Sequence, residues 1–142
     1  IEVFSDQFYL ALLLGIPHGL LTTNILYINQ YPDSSSDAIT GKNHLVVTFG
    51  KKNARWGYLI ILCAAFLSSI LLIPILELYL VSFNKNIFLV GNILLFAYGL
   101  YAFSNLYKNY NKRELIKSNL MTIYLQIFYG LFTIFILNLF FI

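Results

Sequence analysis

Leu120-Met121-Thr122-Ile123-Tyr124-Leu125-Gln126-Ile127-Phe128-Tyr129-Gly130-Leu131-Phe132-Thr133-Ile134-Phe135-Ile136-Leu137-Asn138-Leu139-Phe140-Phe141-Ile142 runs to the last of 142 residues without one charged side chain. A helix needs about 20 apolar residues to cross a hydrocarbon core of about 30 Å. Three further runs of that length lie at roughly 8–28, 57–76 and 87–107. None alternates with period 2, which excludes the strands of a transmembrane barrel. The expected fold is all-α: an integral membrane bundle of four transmembrane helices, one membrane domain over 1–142.

Composition agrees. The chain is 59% hydrophobic, 18% aromatic and 11% charged, against about 25% charged in a soluble domain. So apolar a chain cannot cover itself with polar side chains in water; its partner is the lipid bilayer. The net charge of +3 raises the possibility of nucleic-acid binding. The basic residues, however, sit in short loops between apolar runs and build no basic face, so no nucleic-acid partner is expected. A single cysteine, Cys63, can form neither an internal disulfide nor a cysteine-based zinc site and reads as a small buried apolar side chain.

Charge placement sets the orientation. Lys42, Lys51, Lys52 and Arg55 fall in one inter-span segment, 29–55, and Lys108, Lys112, Arg113 and Lys117 in another. Only Lys85 lies in the turn between the second and third runs, while Glu2 and Asp6 precede the first. Eight of nine basic residues thus occupy one side, expected to be cytoplasmic, most simply at a plasma (inner) membrane. The first residue is Ile1 and no basic stretch precedes the first run, so no signal peptide is expected. Both ends read as cut from a longer protein.

Within the spans, Gly15 and Gly19 form a small-xxx-small pair that would allow close approach of a neighbouring helix. Pro17 and Pro74 should loosen their helices locally, and Glu77 should reach the interface. His18 and Asn24 invite a functional reading, with interhelical hydrogen bonding at least as good an account. Asn92, Gln126 and Asn138 suit helix–helix hydrogen bonds. There is no internal repeat.

The segment that carries chemistry reads Asn29-Gln30-Tyr31-Pro32-Asp33-Ser34-Ser35-Ser36-Asp37-Ala38-Ile39-Thr40-Gly41-Lys42. Asn29, Asp33 and Asp37 are spaced i, i+4, i+8, which puts all three on one helix face. Pro32 predicts that the first span ends or kinks near Tyr31. A short helix then carries the aspartates, and Gly41 closes it as a left-handed cap. Two carboxylates one turn apart repel each other, a cost that a divalent cation would offset. Hard oxygen ligands suit Mg²⁺, usually held by one or two carboxylates plus substrate phosphates. Asp33 and Asp37 are the candidate metal ligands, with Asn29 beside them and Lys42 as a point charge for phosphate. Lys51, Lys52 and Arg55 add to the field or anchor the second span. Taken alone, two aspartates at this spacing are also compatible with an ordinary solvated loop.

Gly19 through Asp33, then Asp37, Gly41-Lys42-Asn43-His44-Leu45-Val46-Val47 and Gly50, resemble the UbiA-type intramembrane prenyltransferases. Within them the pattern is most similar to the 1,4-dihydroxy-2-naphthoate (MenA-like) branch, whose second aspartate-rich motif runs approximately N-E-x-P-D-x-x-x-D, then G-K and L-V-V-R-L-G. Gln30 replaces a frequent acid there, and Thr48-Phe49 replaces Arg-Leu. The resemblance implies a nine-helix enzyme in which two aspartate-rich motifs hold Mg²⁺ and the diphosphate of a polyprenyl donor. This chain would be its carboxy-terminal part, helices six to nine. Asn29, Asp33 and Asp37 would correspond to the second motif and Lys42 to the lysine that follows it, and the amino-terminal half would supply the first.

The implied reaction transfers a polyprenyl group from an allylic diphosphate to an aromatic acceptor, as in menaquinone biosynthesis. Asp33 and Asp37 would be the catalytic pair, and Asn29 and Lys42 would bind the diphosphate. An allylic cation must be kept from water and can be stabilised by aromatic faces. Tyr27 and Tyr31 flank the motif, although tyrosines in spans more often pack or anchor. His44 reads as solvated. The alternatives are a non-catalytic membrane module that binds a lipid diphosphate or partner, and a structural subunit of a membrane complex.

Overall fold

The structure, a computed structural model, describes residues 5–80 and 83–140, apart from the side chains of Gln7, Leu139 and Phe140. Glu2 and the last two residues of the fourth apolar run lie outside the described residues. Five helices follow one another: α1 Asp6–Ile39, α2 Leu45–Leu71, α3 Ile73–Tyr79, α4 Lys85–Asn109 and α5 Leu115–Phe140. There is no strand among the described residues. Four units are long and apolar enough to cross a membrane: α1, α2 with α3, α4 and α5. The all-helical, four-span architecture read from composition therefore stands.

The expected break near Tyr31 does not occur. Helix α1 is continuous over 34 residues with Pro17 and Pro32 inside it. At about 1.5 Å per residue it is about 51 Å long, so its final turns project beyond a core of about 30 Å. Packing offsets the cost of Pro32, whose missing N–H leaves the Ile28 carbonyl without its helical donor. Ser34 and Ser36 donate to the carbonyls of Tyr31 and Asp33 at 3.0 and 2.8 Å. Tyr27, Ile28 and Tyr31 are buried against the rest of the bundle, which keeps the helix continuous past the proline. The supposed loop 29–55 is mostly helix in consequence. Only residues 40–44 connect α1 to α2, with one further interruption at Gly50, whose φ of +72° and ψ of 148° break the first turn of α2 from its body.

Pro74 does more than loosen the second span: the chain turns at Leu72, and α3 starts anew with Pro74 in its first turn, where a missing N–H costs nothing. Glu77 pairs with Lys85 at 3.7 Å, both side chains well exposed, in keeping with its interfacial reading.

Contacts between α1 and α2, α2 and α4, α4 and α5, and α5 and α1 close a ring. Two apolar clusters fill it. One is built around Tyr31, Tyr58, Leu62, Leu106 and Leu125, the other around Leu10, Leu76, Phe88 and Ile136. Polar groups inside the bilayer must be satisfied by protein, and the bundle does this across its helices. Tyr58 Oη bonds Thr122 Oγ1 at 2.8 Å, and Tyr129 Oη donates to Ser69 Oγ at 2.7 Å. Thr122 sends its own proton to the Ser118 carbonyl, so Tyr58 is the donor of the first pair. Asn24 donates to the Tyr58 carbonyl, His18 bonds Thr133, and Gln126 donates to Thr22. These three behave as interhelical partners. Asn92 and Asn138 do not: each amide bonds back to the carbonyl four residues earlier in its own helix. Cys63 is exposed rather than buried, because it lies on the outer face of α2.

Close approach of helices also falls elsewhere than expected. Nothing lies within 4 Å of where a Cβ would stand on Gly15 or Gly19, whereas a Cβ on Gly57 would overlap the Tyr27 hydroxyl. That hydroxyl donates to the Ala54 carbonyl at 2.8 Å. Gly57→Ala should therefore lower stability by about 1–3 kcal/mol through overpacking. Adding Tyr27→Phe should recover part of the loss, giving a non-additive cycle by thermal unfolding in detergent. Additive losses would contradict the packing described.

Candidate functional site

The projecting end of α1 carries the candidate residues. Asn29, Asp33 and Asp37 lie on one face of this continuous helix, successive members about 6 Å apart along its axis. Asn29 and Asp33 are exposed and Asp37 is part-buried. Asn29 Oδ1 accepts from Asn119 Nδ2 at 2.9 Å, tying the face to α5. The expected shared face is thus present, on a helix longer than foreseen.

The chain then reverses through a glycine turn. Thr40 ends the helix, Gly41 adopts φ +78°, and the N–H groups of Gly41 and Lys42 donate to the carbonyls of Ala38 and Asp37 at 3.4 and 2.9 Å. This is the Schellman pattern, which satisfies carbonyls a helix end leaves open and needs a left-handed residue. The left-handed cap expected at Gly41 is present. Its effect is to fold Lys42 back over the final turn, where Nζ reaches Asp37 Oδ1 at 3.2 Å.

His44 supplies the partner that sequence reading missed. It caps α2, accepting the Val47 N–H at Nδ1. With Nδ1 an acceptor, the ring proton belongs on Nε2, which stands 3.1 Å from Asp37 Oδ2. The signal available was position: His44 directly precedes the apolar run that opens α2, where a cap is expected. The hydrogen bond from Lys42 above all holds the Asp37 carboxyl below the ordinary aspartate value; burial opposes it, and His44 and the Lys42 charge add to the lowering.

The two aspartates therefore differ. Asp37 is held on both oxygens, while the Asp33 carboxylate has no hydrogen bond or ion pair among the described residues. No group of three histidine, cysteine, aspartate or glutamate side chains is close enough to hold a metal among them. The donor set is two carboxylates, one free, which matches the sparse protein ligation Mg²⁺ accepts when phosphates and water complete its shell.

Arg55 takes no part in this face. It is buried, donates to the carbonyls of Lys52 and Tyr107 at 2.8 Å each, and sits 4.0 and 4.7 Å from the ring centres of Tyr107 and Tyr110. It fastens α2 to the end of α4, where carbonyls lack helical partners. Tyr27 and Tyr31 point the other way as well: the rings of both are buried and pack within the bundle. Along the aspartate face toward the membrane, Thr22 and Thr23 are exposed, and Gln126 and Asn119 of α5 reach Thr22 and Asn29. A polar strip thus continues from Asp33 down an otherwise apolar helix pair.

Residues 3–138 match the model of the UbiA prenyltransferase family. No curated protein matches, and no solved structure matches.

An aspartate whose pKa is lowered by folding adds stability that is complete above its unfolded value and is lost as pH falls through the folded one. Lys42→Gln should therefore be less stable than the parent at neutral pH; the difference should begin to shrink as pH nears the ordinary aspartate value of 3.8 and vanish once pH falls below the lower folded value. Thermal unfolding across that range checks this. A difference unchanged by acid would contradict the assigned pairing.

Proposed function

We propose, as this chain belongs to the UbiA prenyltransferase family, that its aspartate face forms half of the diphosphate site of an intramembrane polyprenyl transfer to an aromatic acceptor. The observation that carries this reading is the pairing of an unengaged Asp33 with an Asp37 already anchored by Lys42 and His44, at the projecting end of a membrane helix. Asp37 is held in place and kept ionised; Asp33 is left free to bind.

Asp33 and Asp37 would hold Mg²⁺, which when bound neutralises charge growing on the departing diphosphate. Lys42, the more exposed partner, would share its ammonium between Asp37 and a phosphate oxygen. Asn29, steadied by Asn119, would orient the diphosphate. Loss of the allylic C–O bond sends its electron pair to the diphosphate; a ring carbon of the acceptor then forms the new bond and gives up the group it carried, a proton on a bare ring carbon or CO₂ (with the carboxyl proton) where a carboxyl is displaced. The polar strip of Thr22, Thr23 and Gln126 would face the reaction chamber, since polar groups in membrane helices face protein interiors or water-filled cavities and not lipid. The other acidic ligands would come from an amino-terminal half of the same enzyme.

Among acceptors, the Pro32-Asp33…Asp37…Gly41-Lys42…Leu45-Val46-Val47 pattern favours 1,4-dihydroxy-2-naphthoate, and with it menaquinone biosynthesis at a plasma membrane. The end that carries both basic segments would face the cytoplasm.

In the full-length protein, Asp33→Ala and Asp37→Ala should each lower prenyl transfer by about 100-fold or more, the scale of losing one preorganised electrostatic group. Chelation of divalent metal should stop turnover, and added Mg²⁺ should restore it. Transfer in either variant within about threefold of the parent would refute the assignment.

A further inference from the structure

Behind the aspartate face, the same end of the bundle holds a hollow. A cavity of about 480 Å³ lies between the last turns of α1, the start of α2 and the α4–α5 connection, with Tyr31, Lys51, Lys112, Arg113, Ile116 and Asn119 in its walls. Neither Asp33 nor Asp37 lines it. On a helix of 3.6 residues per turn, Tyr31 stands about 160° around α1 from Asp33.

Its electrostatics are one-sided. Lys51, Lys112 and Arg113 line it, no carboxylate does, and the ion pairs among the described residues involve only Asp37 and Glu77 as acids. Arg55 stands behind the wall, stacked on Tyr110, which also lines the cavity. Three cations are therefore gathered without an anion. The second observation is independent of charge. Tyr31 is wholly buried, yet its hydroxyl has no hydrogen-bond partner, a rare condition for a buried donor. The Oδ1 of Asn119 is likewise unpartnered and could accept from a hydroxyl.

We infer that this cavity binds a phosphate group, separately from the aspartate face. Lys112 and Arg113 would supply charge, with the fork of Arg113 suited to two phosphate oxygens. The Tyr31 hydroxyl would donate a third contact, and a hydroxyl next to the phosphate would meet Asn119. Leu115 and Ile116 at the start of α5 give the rim an apolar side. The same chemistry is offered by the headgroup of an anionic phospholipid and by a soluble phosphate ester.

The test uses the full-length protein in detergent. Native mass spectrometry compares retention of phosphatidylglycerol with that of phosphatidylcholine, and calorimetric titration with inorganic phosphate probes the soluble source. Selective retention of phosphatidylglycerol assigns a lipid headgroup; titratable phosphate binding assigns a soluble ester. In either case Lys112→Gln with Arg113→Gln, both exposed positions, should weaken binding about tenfold or more. Tyr31→Phe, which keeps the buried ring, should weaken it about threefold to tenfold, and Asp33→Asn should leave it intact. Failure of both probes to bind would overturn the site. So would binding that survives the double substitution or disappears with Asp33→Asn.

Discussion

The requirement that a membrane-embedded chain satisfy its polar groups internally organises this molecule. It is met most tightly between α1 and α2, where Tyr27 donates to the Ala54 carbonyl over the bare backbone of Gly57 and Asn24 donates to the Tyr58 carbonyl. These contacts commit one face of α1 to the interior. Because α1 does not break at Pro32, the opposite face continues in register past the membrane, and Asn29, Asp33 and Asp37 inherit its direction. The candidate residues sit at the end of a lever whose fulcrum is buried.

The site itself divides its work. A Schellman turn at Gly41 and the cap at His44 are devices for closing one helix and opening the next. Here the same turn brings Lys42 and His44 onto one carboxylate. Asp37 is thereby fixed by groups that the chain had to place nearby for backbone reasons, while Asp33 stays unengaged. Arg55, another cation near this end, is committed to the Tyr107 carbonyl of α4 and to the rings of Tyr107 and Tyr110.

The four spans were legible because the signal is long: about 20 uncharged residues have few other uses. The shared aspartate face and the glycine cap were legible too, since helical periodicity and left-handed φ each rest on local geometry. Pro32 misled, because its local cost was outweighed by the burial of Tyr27, Ile28 and Tyr31 on either side, which no local rule reports. His44 and Arg55 were missed for a related reason: each role depends on a partner brought close only by the folded turn or by another helix. Gly15 and Gly19 carry the small-residue pattern, but the close helix contacts form at Gly57, Gly91 and Gly99 instead, where Tyr27, Phe132 and Leu62 need the room.

The most direct measurement of the central claim is a crystal structure of the full-length protein with Mn²⁺ and a polyprenyl thiodiphosphate, using anomalous scattering to locate the metal. The account predicts a metal peak at coordination distance, about 2.1–2.2 Å, from carboxylate oxygens of both Asp33 and Asp37, bridged to the diphosphate. A metal and diphosphate bound out of reach of both side chains would contradict it.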